Sequence, residues 1–264
     1  MQSYNSDLTD PQHKVLEEGE FKYIETGPED GQVLVLLHGL LGALSNFDGI
    51  INHFSTKFKV SIPVLPIFEL PLRKLGITGL VDYVDRFVSH KGYTDVHILG
   101  NSLGGHLCQL YALRRPEKIK SMILTGSSGL FENAMGSTFP KRGNYEYIKQ
   151  KAEMVFFDPA IATKELVDDV YNTVNDRNRA IRVIATAKSA VRHNLGDKLH
   201  ALDTPTLLVW GREDTVTPAF VGEKFHELLP NSELVFVEKC GHAPMMEKPH
   251  EFNSILDTFF TKLG

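Results

Sequence analysis

In HILGNSLGGHL, residues 97–107, Ser102 stands one residue from Gly100 on one side and one residue from Gly104 on the other. An apolar run precedes the serine and a helix-like spacing follows it. A serine hydroxyl is a weak nucleophile until a base takes its proton. A strand feeding directly into G-N-S-L-G, which then opens a helix, would hold the oxygen out for that chemistry. The two glycines let the chain pass close to itself while the serine adopts a strained backbone. The first N–H groups of the helix would then face developing negative charge. Ser102 as a plain helix cap is the alternative, so the rest of the chain must supply a base.

A base stands in EKCGHAPMMEKPHEF: His242 follows the apolar stretch LVFV and precedes the last helix pattern, and Gly241 permits a close loop path. An imidazole acting as base needs a carboxylate to hold its proton on the far nitrogen. LLVWGREDTVTP offers Asp214 just past the strand TLLVW, with Glu213 adjacent. Asp197 and Asp203 precede that strand, at the wrong end. Asp214 could also form an Asx turn or cap before Pro218. An oxyanion needs two donors. The Leu103 N–H, beside the serine, is one, and the Leu40 N–H of HGLLG is the other, with Gly39 and Gly42 bending that loop toward the serine. His38 reads as an architectural hydrogen bonder.

These residues need strand ends to carry them. At 264 residues the chain can build one large core or two modest domains. Residues 21–27 read as an edge strand and 33–37 as a strand buried on both faces. Further strands are expected in KVSIPVLP, DVHILG, IKSMILTG, TPTLLVWG and SELVFVE. Helices are expected in GITGLVDYVDRFVSHKG, SLGGHLCQLYALRRPEKI, AFVGEKFHELL and HEFNSILDTFFTKL. The alternation predicts a mostly parallel sheet covered on both sides. Between about residues 131 and 197 it stops, and helical stretches appear in YEYIKQKAEMVFF, TKELVDDVYNTV and NRAIRVIATAKSAV. The expected organisation is a core of residues 1–130 and 198–264 with a helical insertion, 131–197, between its parts. Phe131, Phe139, Tyr145, Tyr147, Phe156, Phe157 and Tyr171 give that insertion its aromatic supply.

A net charge of −5 offers no general attraction to nucleic acid or anionic lipid. Two cysteines, Cys108 and Cys240, make no disulfide framework and fit a reducing compartment. The first thirty residues lack the apolar core of a signal peptide, and no apolar run reaches membrane-spanning length. The expectation is a cytoplasmic protein without membrane insertion, acting on a small molecule. Whether it is a monomer or a homo-oligomer is left open.

Through LLHGLLG, LGNSLGG, LLVWGREDTVTP and CGHAPMMEKPHEF, in that order, the chain resembles the α/β-hydrolases over nearly its whole length. The resemblance implies Ser102 as nucleophile, His242 as base and later acid, Asp214 as its orienter, and residues 131–197 as a helical lid. It implies no metal and no organic cofactor. The expected activity is hydrolysis of carboxylic esters, thioesters and lactones included, through an acyl-enzyme. Asn101, Leu41, Phe131 and Ala243 are candidate contacts to a substrate with an apolar acyl group.

GNSLGG and WGREDTVTP further resemble hydrolases that split carbon–carbon bonds in vinylogous diketones formed by aromatic-ring cleavage. Val170 stands where that group carries a lid arginine, and Ala243 where it tends to carry tryptophan. Arg177, Arg179 and Arg182 lie nearby, at the spacing of a solvated helix face. A serine at 102 departs from the aspartate-nucleophile dehalogenases and epoxide hydrolases. HGLLG departs from the HGGPG of proline iminopeptidases, and the familiar D-L-P-G-x-G loop is VLPIFEL here. Carbon–carbon hydrolysis is the alternative activity, and a ligand-binding receptor on a hydrolase scaffold is the alternative of another class.

Overall fold

Alternating apolar side chains in the middle strands divide the interior into two layers. In the computed structural model, which describes residues 13–131 and 142–264, Val35 and Leu37 face one apolar cluster while Leu34 and Leu36 face the other. Leu208 and Trp210 are divided from Leu207 and Val209 in the same way. This is the period-two alternation of a strand buried on both faces.

The strands are β1 (Leu16–Glu18), β2 (Phe21–Thr26), β3 (Gln32–Leu37), β4 (Phe58–Pro63), β5 (Val96–Asn101), β6 (Ile119–Thr125), β7 (Thr206–Gly211) and β8 (Ser232–Val237). They form one sheet in the order β1-β2-β4-β3-β5-β6-β7-β8. β2 pairs antiparallel with both neighbours, and every pairing from β4 to β8 is parallel. The helices are α1 (Asp48–Phe54), α2 (Ile77–His90), α3 (Leu103–Arg114), α4 (Tyr145–Glu153), α5 (Lys164–Asn175), α6 (Arg177–Arg192), α7 (Ala219–Leu228), α8 (Pro244–Glu247) and α9 (Pro249–Leu263). α2, α3 and α7 bury their apolar sides in one cluster, α1 and α9 in the other.

Residues 21–27 were expected at the sheet edge, and there the structure differs. β2 has β4 on one side and β1 on the other. A tight turn through Gly19, at φ 60°, folds β1 back onto β2. With three residues, two of them Glu, β1 carries too little apolar pattern to be read from sequence. The short helix α1 was likewise not anticipated.

After β3 the chain crosses to β4 on one side, and after α2 it returns to β5 on the other. The strand order therefore reverses between β3 and β5, and in open α/β sheets ligands bind beyond the carboxyl ends of the strands at such a point. HGLLG leaves β3 there, and GNSLGG leaves β5.

Between β6 and β7 the described residues contain no strand; α4 packs on α5, α5 on α6, and α6 on α2. Asn144, Thr163 and Asp176 cap the first turns of α4, α5 and α6 with their side-chain oxygens. α6 is fastened to the core. Ser189 Oγ accepts the Ile77 N–H at the start of α2, 3.0 Å away. Arg182 donates to the Leu70 carbonyl at 2.5 Å, and the Arg179 guanidinium lies 4.6 Å from the centre of the Phe68 ring. The loop these arginines grip is the departing VLPIFEL segment, whose Leu65 and Ile67 are buried in the core. An isoleucine at 67 replaces a turn residue with an apolar anchor. Among the described residues no helix is long and apolar enough to cross a membrane. Phe139 lies outside the described residues.

Candidate active site

Ser102 joins β5 to α3 with φ 55° and ψ −118°, a conformation costly for a residue with a Cβ. The flanking glycines are required by crowding of backbone on backbone. A Cβ on Gly100 would lie 2.3 Å from the Gly104 backbone, and one on Gly104 would lie 1.9 Å from the Leu37 carbonyl oxygen. The Ser102 N–H donates to Thr125 O at 3.1 Å, and its own carbonyl accepts from the N–H of Ser128 at 3.1 Å. The serine is thus held against the ends of β3 and β6 and is half-buried.

Leu103 is the first residue of α3, where helix geometry supplies no intrahelical acceptor for its N–H. Gly39 packs beside the serine: a Cβ there would be 3.4 Å from Ser102 Cβ. The Gly39 carbonyl accepts from Gly42 N–H at 3.2 Å and from His38 Nδ1 at 2.8 Å. The Leu40 N–H, on the opposite edge of the same trans peptide, therefore points away from that turn. Leu41 is 39% exposed.

His38 is architectural, as its place before the glycine turn suggested. Its Nε2 accepts the Leu65 N–H at 3.1 Å, so the ring proton sits on Nδ1 and is given to Gly39. Burial holds its pKa below the usual value and keeps the ring neutral.

Asp214 is buried and accepts four hydrogen bonds. Oδ1 takes the N–H groups of Val216 and Thr217 at 2.8 and 2.9 Å. Oδ2 takes Thr217 Oγ1 at 2.8 Å and His242 Nδ1 at 2.8 Å. The Asx turn and the histidine partner are thus both present in one carboxylate. Glu213 turns the other way and accepts the Cys240 N–H at 2.9 Å. Thr217, which no sequence signal singled out, is itself fixed through its carbonyl by Trp210 Nε1 at 2.7 Å.

The imidazole of His242 is buried with its acid. Gly126, at φ 49°, ends β6 beside it, and a Cβ there would stand 2.7 Å from His242 Nδ1. The end of β6 thus touches Ser102 through Thr125 and His242 through Gly126, and His242 in turn bonds Asp214.

Asn101, a candidate substrate contact, links the serine strand to the histidine loop. Its side chain is buried, and Nδ2 donates to the carbonyls of Thr125 and His242 at 3.1 and 3.0 Å. Ala243 is buried at the start of α8, and Phe131 packs edge-on against Phe220, ring centres 5.2 Å apart. Below the serine, His106 Nε2 donates to His193 O at 2.9 Å and Gln109 Nε2 to Ser128 O at 2.9 Å. The first bond ties α3 to the end of the insertion and the second ties it to the segment after β6. Burial pushes the His106 pKa down to about 4.

The α/β hydrolase fold family matches residues 32–249. The chain belongs to that family. It is 41% identical to MGS-MChE2, an α/β hydrolase enzyme from the metagenome of sediments of the Mar Chica lagoon, Morocco, over 94% of this chain and 98% of that one, with a TM-score of 0.78. It is 24% identical to a 2-hydroxy-6-oxononadienedioate/2-hydroxy-6-oxononatrienedioate hydrolase of a Pseudomonas species, covering 93% of this chain and 94% of the relative. Relatives of that same name in other bacteria match at 25–27% identity. It is also 24% identical to the pimeloyl-[acyl-carrier protein] methyl ester esterase of Nitrosomonas europaea, over 89% and 98% of the two chains. The similarity to a dioate hydrolase and to a methyl ester esterase thus extends in each case over about nine tenths of this chain.

Proposed function

We propose that the chain is a serine hydrolase that cleaves carboxylic esters of small molecules. The observation that carries this reading is the buried His242–Asp214 pair, 2.8 Å apart, beside a serine held at φ 55°. Ser102 Oγ attacks the ester carbonyl while His242 Nε2 takes its proton, and the N–H groups of Leu40 and Leu103 receive the oxyanion. The C–O bond to the alcohol then breaks, and His242 gives the proton to the leaving oxygen. A water molecule, deprotonated by the same histidine, attacks the acyl-enzyme; the carboxylic acid leaves and the proton returns to Ser102. No metal or organic cofactor enters these steps. Residues 131–197 act as a lid over the site and shape the acyl pocket. Thr217 and Asn101 are positioning residues, the first for Asp214 and the second for the histidine loop.

Hydrolysis of a carbon–carbon bond in a vinylogous diketone is the second reading. The curated relatives favour it, since five of them are named as hydrolases of 2-hydroxy-6-oxononadienedioate or its trienedioate and one as a methyl ester esterase. The side chains favour the ester. A diketone of ring cleavage carries a carboxylate, and burying one without a cation is costly. Among the described residues, Val170 on α5 supplies no charge, while Arg182 and Arg179 are engaged with the 64–70 loop and Arg142 with the carbonyls of Val174 and Asn175. Parallel kcat/KM measurements on p-nitrophenyl esters and on a vinylogous diketo acid decide between them. A strong preference for the diketo acid overturns the esterase reading, and a single stoichiometric burst without turnover on either substrate favours a receptor.

A further inference from the structure

Residues 154–158 of the insertion lie along the histidine loop, backbone against backbone. The His242 N–H donates to Val155 O at 2.8 Å, and Thr215 Oγ1 donates to Met154 O at 2.9 Å. Gly241 leaves no room between the two segments: a Cβ there would stand 2.5 Å from Val155 O and 2.9 Å from Phe156 Cα. Phe156 is buried in the same apolar cluster as Cys240, Ala243 and Met245.

Glu247 closes this contact. Its Oε1 accepts the Gly241 N–H at 2.7 Å, and its Oε2 accepts the N–H groups of Phe157 at 2.8 Å and Asp158 at 3.4 Å. One carboxylate thus holds the residue before the imidazole with one oxygen and the insertion with the other. Bonds to an ionised acceptor are the stronger kind. The His242 ring is fixed at Nδ1 by Asp214, but where the ring starts depends on the backbone at 241–242. That backbone is held by Val155, Asn101 and Glu247.

We propose that Glu247 is a positioning residue for the base: it seats residues 154–158 on the histidine loop, so that docking of the insertion sets where His242 stands. The proposal rests on the serine-hydrolase reading above. A displaced base slows both proton removal from Ser102 and its later return, whereas substrate binding is little affected. The effect belongs in kcat and in the rate of serine labelling rather than in KM.

The test uses Glu247→Gln, which keeps the size but leaves one of the two oxygen positions as a donor facing an N–H. Thr215→Val is its companion, because it releases Met154 O without touching the histidine loop. For each variant kcat and KM are measured between about pH 5 and 9, together with labelling by a fluorophosphonate, Tm, and hydrogen exchange at residues 154–158. Glu247→Gln is expected to lower kcat and the labelling rate by about tenfold to a hundredfold. KM should stay within about threefold, with the acid limb of kcat/KM displaced. Thr215→Val is expected to shift the same quantities in the same direction but less, and exchange at 154–158 should rise in both. Wild-type kcat, labelling rate and pH profile in Glu247→Gln overturn the proposal even if Tm falls, since a purely structural role would move Tm alone. Should that variant not fold, Thr215→Val decides by the same criteria. Ser102→Ala is assayed alongside: retained turnover there refutes the serine reading itself, whereas its loss beside an unaffected Glu247→Gln refutes only the role of Glu247.

Discussion

The side-chain amide of Asn101 reaches the backbone carbonyl of His242, 3.0 Å away, and bonds Thr125 O with the same nitrogen. The residue before the serine thereby holds the loop of the histidine, although 141 positions separate the two in the chain.

Asn101→Ala removes both bonds and leaves the His242 carbonyl without that donor. The expected cost is about 1–3 kcal/mol of stability and a fall in kcat of about tenfold to a hundredfold. Asn101→Asp should be worse, because a carboxylate would face two carbonyl oxygens. Tm and kcat measured on the same preparations check this; a loss of Tm with wild-type kcat would reduce Asn101 to a packing role.

Asp214→Asn should cut kcat by about 10⁴-fold, the loss seen when the matching carboxylate of a serine protease is amidated, while His242→Ala removes the base outright. Glu213 gives no rescue, because its carboxylate is turned onto the Cys240 N–H. Steady-state assays of folded variants on one ester are sufficient. Near-wild-type kcat/KM in Asp214→Asn, abolished by adding Glu213→Gln, would move the acid role to Glu213.

At position 102, glycine should be more stable than alanine. Both substitutions abolish serine labelling, but only glycine adopts φ 55° without strain. Ser102→Gly is therefore expected to exceed Ser102→Ala by about 1 kcal/mol in unfolding free energy. Denaturant titration of the two proteins tests it, and the opposite order would show that the positive φ costs nothing there.

Stability should fall on the acid side through buried histidines. Burial holds His97 and His106 at about 4 against an ordinary 6.5, and lowers His38 as well. Between those values the unfolded chain binds protons that the folded chain refuses, so stability present above about pH 6.5 is lost as pH falls toward 4. For each of His97 and His106 the full effect is on the order of 3 kcal/mol at most. Thermal melts across that window should show a declining Tm. His97→Gln, which can still bond its neighbours Ser121 and Gln32, should flatten the decline. A Tm independent of pH would refute the assignment.

What the sequence determined by itself was local. Gly100 and Gly42 announce turns because a Cβ on either would crowd backbone a few residues away, at Gly104 for the first and Gly39 for the second, whereas Gly104 is required by Leu37, far along the chain. The two-sided burial of β3 and β7 is written in uninterrupted apolar runs, and the caps of α4, α5 and α6 in single side chains at their starts. The order of the motifs along strand ends was legible for the same reason, since a strand, its end and the loop beyond it occupy about ten consecutive residues.

Only the tertiary structure decided which polar group each side chain would meet. Glu213 and Asp214 are adjacent carboxylates with the same local signal, and packing alone turns one to Cys240 and the other to His242. The α6 arginines have the spacing of a solvated face, yet two of them engage the 64–70 loop. Asn101 and Glu247 acquire their roles from segments far along the chain. A sequence pattern states which face of an element is apolar, but a buried hydrogen bond needs a partner at about 3 Å, and that partner exists only once distant elements have packed.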